Sequence, residues 1–149
     1  MDSRLGDRIV GPAAIDIPDG ACLLLRAHEQ YFKSQELQPG VFRFRAEHGC
    51  AMSSDWERYE GRTAHDTRAA AKRDPEKNGV IRLPIRKVRA APHVVAVTHM
   101  PLPENRAHAD VVAQAVLCEK GPVPSAALTT LRLELLASCE VVLHVAPPE

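Results

Sequence analysis

Residues 94–113 read VVAVTHMPLPENRAHADVVA, and this stretch decides the fold. Val94-Val95-Ala96-Val97 is β-branched and lies between Pro92 and Pro101, so it predicts a strand. Pro101 and Pro103 stand one residue apart and fit neither a helix interior nor a sheet ladder, so residues 101–105 predict a loop. Ala109-Asp110-Val111-Val112-Ala113 then predicts a second strand.

Upstream, Cys22-Leu23-Leu24-Leu25-Arg26 is a short apolar run behind the turn Pro18-Asp19-Gly20, which predicts a buried strand. Val41-Phe42-Arg43-Phe44-Arg45 alternates and predicts a half-exposed strand, with Phe42 and Phe44 inward. Met52-Ser53-Ser54-Asp55-Trp56 predicts a further extended segment. Residues 63–73 are alanine-rich without Gly or Pro, and Thr63 with Asp66 three later resembles a capping box, so a surface helix is expected there. Residues 80–92 admit two readings. One is a strand with Ile81, Leu83 and Ile85 on one face. The other, preferred, is a short helix with Pro84 at its first position, because proline is an asset there and a defect in a ladder.

Downstream, Ser125 is an N-cap for a helix over 126–138, whose Leu128, Leu131, Leu135 and Leu136 share one stripe. Val141-Val142-Leu143-His144-Val145 predicts a last strand stopped by Pro147-Pro148. Strands and helices interleave with no regular βαβ period and no repeat. The expected class is α+β: one compact domain with a small mixed or antiparallel sheet, two to three helices, and a C-terminal helix followed by a last strand. Residues 1–20 read as an irregular lead-in and residues 21–149 as the domain.

The chain has 149 residues, and at that length one core is the default. Its 19 Lys+Arg balance 19 Asp+Glu, which argues against a dedicated nucleic-acid binder. That neutrality is a cancellation: residues 51–100 hold 10 basic against 6 acidic residues, a net +4, and residues 101–149 hold 3 against 6, a net −3. No apolar leader or span stands in the sequence, so a cytoplasmic chain without membrane attachment is expected. The 4 cysteines, Cys22, Cys50, Cys118 and Cys139, are widely spaced, and each reads as a small buried hydrophobe rather than a zinc ligand or a disulfide partner.

The densest group of chemistry-bearing residues is 99–110. His108 and Asp110 share a face of an extended segment, and an imidazole oriented by a carboxylate suits acid/base work. His99 joins them as a catalytic candidate, and Asn105 and Arg106 as ligand-binding ones. A plainer account has these side chains holding loop carbonyls. Arg26, Ser54 and Trp56 are further ligand-binding candidates, Trp56 reading equally well as a half-buried anchor. Arg82, Arg86 and Arg89 align if 80–92 is helical, which makes Arg86 and Arg89 ligand-binding candidates for phosphate or an acidic partner, a solvated face being the plainer and preferred account. No complete catalytic or phosphate-loop signature is present, and neither a metal site nor a cofactor is expected.

The segments Leu23-Leu24-Leu25-Arg26, Met52-Ser53-Ser54-Asp55-Trp56, Asn78-Gly79-Val80, Val88-Arg89 and Pro101-Leu102-Pro103-Glu104-Asn105-Arg106-Ala107-His108-Ala109-Asp110-Val111-Val112 resemble a set of small, functionally uncharacterised bacterial proteins. The resemblance runs from about Cys22 to Pro148, its most specific piece being 105–112. It implies a bacterial, cytoplasmic, single-domain chain and no mechanism. The order of elements, a strand bearing Arg26, a Ser-Ser segment before a helix and a late polar loop, also resembles the ADP-ribosyltransferase scheme, an analogy of fold order alone.

Two functions follow as expectations. The first is a small binding or interaction module working with a partner protein. The alternative is an enzyme acting on a nucleotide or other phosphorylated, anionic small molecule, with Arg26 or Arg89 on the phosphate, His108 as acid/base and Asp110 orienting it. Convergence of Arg26, Ser54, His99, His108 and Asp110 in one cleft would favour the enzyme.

Overall fold

The strand, loop and strand at 94–113 fold back on each other as an antiparallel pair, Val97 opposite Val111 and Thr98 opposite Asp110. The computed structural model describes residues 17–145; most of the expected lead-in and the prolines at 147 and 148 lie outside them. In chain order the elements are β1 (Cys22–His28), β2 (Phe32–Lys33), β3 (Glu36–Leu37), β4 (Ala51–Trp56), α1 (Ala64–Ala69), β5 (Asn78–Pro84), α2 (Ile85–Ala90), β6 (Val94–His99), β7 (His108–Ala113), α3 (Ala126–Ser138) and β8 (Glu140–Leu143). Six strands form one antiparallel sheet in the order β6-β7-β4-β1-β5-β8, with β2 and β3 as a separate ribbon. The result is an α+β single domain whose C-terminal helix leads into its last strand.

Because strand side chains alternate, the register sorts them into two faces. Leu23 lies opposite Trp56 and Leu83, and with Leu25, Met52, Ile81, Val97, Ala109 and Val111 it makes an apolar face. Ile85 and Val88 of α2 and Leu128, Leu131 and Leu135 of α3 pack into the same core. Each such buried aliphatic side chain stabilises the fold by about 1.5–3 kcal/mol. Leu24 lies opposite Asp55 and Arg82, so the other face takes Arg26, Asp55, Arg82, His108 and Asp110 of the same sheet. At Gly79 an added Cβ would meet the Leu143 carbonyl oxygen at 2.6 Å, which is why β5 and β8 pair only with glycine there.

The 80–92 segment divides at its proline: the strand runs to Pro84, and Pro84 in turn flanks the first helical residue, Ile85. Arg82 therefore belongs to β5, where Glu57 accepts from its Nη2 at 2.6 Å, and the expected stripe of Arg82, Arg86 and Arg89 on one helix does not form. Residues 41–45 are not a strand. Pro39–Val41 is a turn of 3-10 helix, and only Arg45 bridges, to Ala51. The backbone there is satisfied by groups far along the chain: Arg132 Nε donates to the Phe42 carbonyl at 2.9 Å, and Glu119 N donates to that of Phe44 at 3.1 Å. Phe42 and Phe44 are nonetheless fully buried, so the alternation identified the inward residues without identifying the backbone.

Both expected helix caps form. Thr63 Oγ1 accepts from Asp66 N at 3.2 Å while the Asp66 carboxylate accepts from Thr63 N at 2.9 Å. The bond from Thr63 N first, and a second from Thr63 Oγ1 to the same carboxylate at 2.9 Å, hold the Asp66 carboxyl below its ordinary value. The helix ends at Ala69, short of the expected residue 73. Ser125 Oγ accepts from Leu128 N at 3.1 Å and starts α3. All four cysteines are half-buried, more open than the buried hydrophobes expected of them.

Candidate functional site

The polar face is organised by a residue that composition does not single out. Asp55, 3% exposed at the end of β4, lies opposite Leu24 on one side and His108 on the other. Its Oδ2 accepts from Arg62 Nε at 3.0 Å and Nη2 at 2.8 Å, and from Thr67 Oγ1 at 2.8 Å. Its Oδ1 accepts from Asn105 Nδ2 at 2.8 Å. One carboxylate thus ties the sheet to α1, to the residues before α1 and to the loop before β7. A buried carboxylate is tolerated where such charge-assisted donors surround it.

Around Asp55, a cavity of about 30 Å³ is lined by Leu24, Arg26, Ser53, Ser54, Asp55, Thr67, Asn105 and His108. Of the five residues set as the test of convergence, Arg26 and His108 meet here with Asp110 against His108, whereas Ser54, although it borders the cavity, is placed on the apolar face by its register opposite Ala109. Each is engaged by the protein. Arg26 Nη1 donates to the Thr67 carbonyl at 3.1 Å, and Ser54 Oγ donates across the sheet to the Ala109 carbonyl at 3.0 Å. His108 Nδ1 donates to the Met100 carbonyl at 3.0 Å, and its Nε2 lies 3.5 Å from Asp110 Oδ1, a carboxylate 1% exposed. Both ring nitrogens thus face protein oxygens. A volume of about 30 Å³ is the share of one water molecule, and a nucleotide does not fit in it.

His99 stands elsewhere. It shares the apolar face with Trp56 and Tyr59, ring centroids 5.2 and 4.4 Å away. Its Nε2 donates to the Arg106 carbonyl at 2.8 Å, and its Nδ1, fully buried, has no hydrogen-bond partner among the described residues. Trp56 is half-buried in this ring cluster. Asn105 belongs to the Asp55 group, its Oδ1 also accepting from Ala107 N at 3.2 Å. Arg106 points outward to Glu60 at 2.8 Å, both half exposed. Arg89 pairs with Asp19 at 2.6 Å, whereas Arg86 and Lys87 are exposed on α2 and make no ion pair among the described residues. The site residues that sequence reasoning missed are Asp55, Arg62 and Thr67. An aspartate inside a strand is disfavoured by propensity and was the one available signal; its partners lie 7, 12 and 50 residues away in sequence.

Among the described residues, no group of three or more His, Cys, Asp or Glu side chains is placed to hold a metal ion, and no helix is long and apolar enough to cross a membrane. No protein-family model, curated protein or solved structure matches the chain.

Proposed function

We propose that this chain is a small protein-binding module whose partner adds an extended, acid-bearing segment to the outer edge of β6. The observation that carries the reading is Val95, 62% exposed on a strand at the end of the sheet order. Sheet edges are ordinarily guarded by charge, proline or cover, because their outward N–H and C=O groups pair with any extended chain. The opposite edge, β8, carries Glu140, whose carboxylate reaches Arg82 at 3.5 Å. Residues 94–98 of β6 hold valine, alanine and threonine with no charge, and a bulge between Val94 and Ala96 is what interrupts their ladder to β7. Strand addition to such an edge draws affinity from main-chain bonds and specificity from alternate side chains.

The chemistry of the partner is read from α2, which packs against β6 and presents Arg86 and Lys87 to solvent. Two cations beside an apolar edge favour a strand bearing Asp or Glu. The bacterial, cytoplasmic setting implied by the resemblance belongs to the same proposal. The phosphorylated-ligand enzyme stands behind it, because the cavity lined by Arg26 and His108 holds about one water and the convergence leaves out His99 and the Ser54 hydroxyl.

The test is an NMR titration of the isotopically labelled chain with a decapeptide of alternating valine and glutamate. Amide shifts confined to β6 and its flanks, weakened about tenfold by Val95→Lys and by exchanging the peptide's glutamates for lysines, support the module. Shifts centred on the Asp55 cavity, equal binding of the lysine peptide, or none at about 1 mM overturn it.

A further inference from the structure

Cys50 and Cys118 are far apart in sequence and adjacent in the fold. Gly49 and Cys50 both take left-handed backbone conformations, φ 74° and 58°, turning the chain sharply into β4. A non-glycine residue holds that conformation where its surroundings fix it. Here the Cys50 carbonyl accepts from Ala113 N at 3.0 Å, and Cys50 N donates to the Arg45 carbonyl at 2.9 Å. The chain beyond β7 then makes one 3-10 turn, Ala115–Leu117, with Gln114 at its start and Cys118 at its end. Both ends of that turn lie by the Cys50 thiol: its Sγ is 3.5 Å from the Gln114 carbonyl oxygen, and the Cys118 thiol is near enough to shift its proton affinity. A further bond, Glu119 N to the Phe44 carbonyl at 3.1 Å, holds the two segments together on the far side of Cys118.

Neither sulfur is sealed. Both residues are half-buried, and Cys118 also lines a groove of about 350 Å³ between residues 115–125 and α3. A small reagent therefore reaches Cys118 from solvent, with Cys50 beside it. Cys22 and Cys139, also half-buried, have no such thiol neighbour among the described residues.

We propose that Cys50 and Cys118 form a redox-active dithiol that a peroxide closes to a disulfide. In the first step the Cys118 sulfur, having given up its proton, attacks one peroxide oxygen. The O–O bond breaks, the sulfur is oxidised to a sulfenic acid, and the leaving hydroxide takes a proton to become water. The Cys50 sulfur then attacks Cys118; the S–S bond forms, the S–O bond breaks, and the departing hydroxide takes the Cys50 proton as a second water. Overall, two thiols and one hydrogen peroxide give one disulfide and two waters. Burial first, and the neighbouring Cys118 thiol second, push the Cys50 thiol up to about 12, so the first attack falls to Cys118 and Cys50 gives up its proton only as its sulfur bonds to Cys118. A dithiol reducing agent reverses the closure by exchange.

The experiment treats the folded, full chain with hydrogen peroxide, then unfolds it and alkylates it with N-ethylmaleimide for mass analysis. Of the 4 cysteines, the proposal leaves two alkylated, gives a Cys50–Cys118 linked peptide about 2 Da lighter than its two thiol halves, and restores all four on reduction. In Cys50→Ser the Cys118 sulfenic acid persists and is captured by dimedone. Cys22→Ser with Cys139→Ser leaves the closure intact. Four alkylated cysteines after peroxide, a link through Cys22 or Cys139, or Cys118 driven to sulfinic acid with Cys50 still alkylated would each overturn the proposal. The wild-type peptide map decides it even where a variant fails to fold.

Discussion

On one face of the sheet Leu23, Leu25, Ile81, Leu83 and Val111 meet leucines from α3; on the other, a single carboxylate, Asp55, meets Arg62, Thr67 and Asn105. The first face spreads its stabilisation over many interchangeable contacts, each lost in proportion to the atoms removed. The second concentrates it. Taking away one partner of a buried carboxylate leaves desolvated charge behind, so the cost exceeds the size of the group deleted. Asp55 and its three donors thus act, in this arrangement, as the clamp that fixes α1 and the 101–107 loop onto the sheet.

Four substitutions grade that contrast. Phe44→Ala, at a fully buried position, is expected to cost about 4 kcal/mol in urea unfolding, the upper range for emptying a core site. Asn105→Ala is smaller in volume yet is expected to cost about 2 kcal/mol, because it removes the donor on Asp55 Oδ1 and the acceptor of Ala107 N together. A neutral Asn105→Ala would erase the difference between the faces. Glu119→Gln addresses an ion cluster outside both. Burial works against the Glu119 charge, but the guanidinium groups of Arg43 and Arg132 outweigh it and hold its carboxyl below the ordinary value. A depressed carboxyl contributes stability above its unfolded value and loses it as pH falls through its folded one. The variant is therefore expected to be less stable by about 1 kcal/mol at neutral pH and to converge with the wild type in acid, as read by thermal melts across pH. Ser125→Ala, which removes the α3 cap, is expected to cost about 1 kcal/mol or less with no pH dependence.

What was legible in the sequence follows the same division. The α3 boundaries came from Ser125 and the spacing of Leu128, Leu131 and Leu135, all local signals. The capping box at Thr63 was local too, as was the β-branched run of β6. Residues 41–45 failed because alternation reports which side chains are inward, whereas backbone pairing there is replaced by Arg132 and Glu119, about 75 to 90 residues away. Residues 80–92 were ambiguous because both periods are present in turn, and only the pairing of β5 with β1 shows that the change falls at Pro84. The Asp55 group was illegible for a related reason: its donors come from three places along the chain, and nothing in the local pattern distinguishes them from other polar residues.

The nature of the polar face is decided most directly by urea unfolding of Asp55→Asn. The substitution keeps the shape, removes the charge, and turns an amide donor toward groups that are themselves donors. A clamp predicts a loss of about 3 kcal/mol, seen as a lower midpoint at an unchanged slope. A carboxylate held there for chemistry predicts the reverse, since relieving a strained functional charge leaves stability unchanged or raises it. An unchanged or higher midpoint for Asp55→Asn would contradict the clamp.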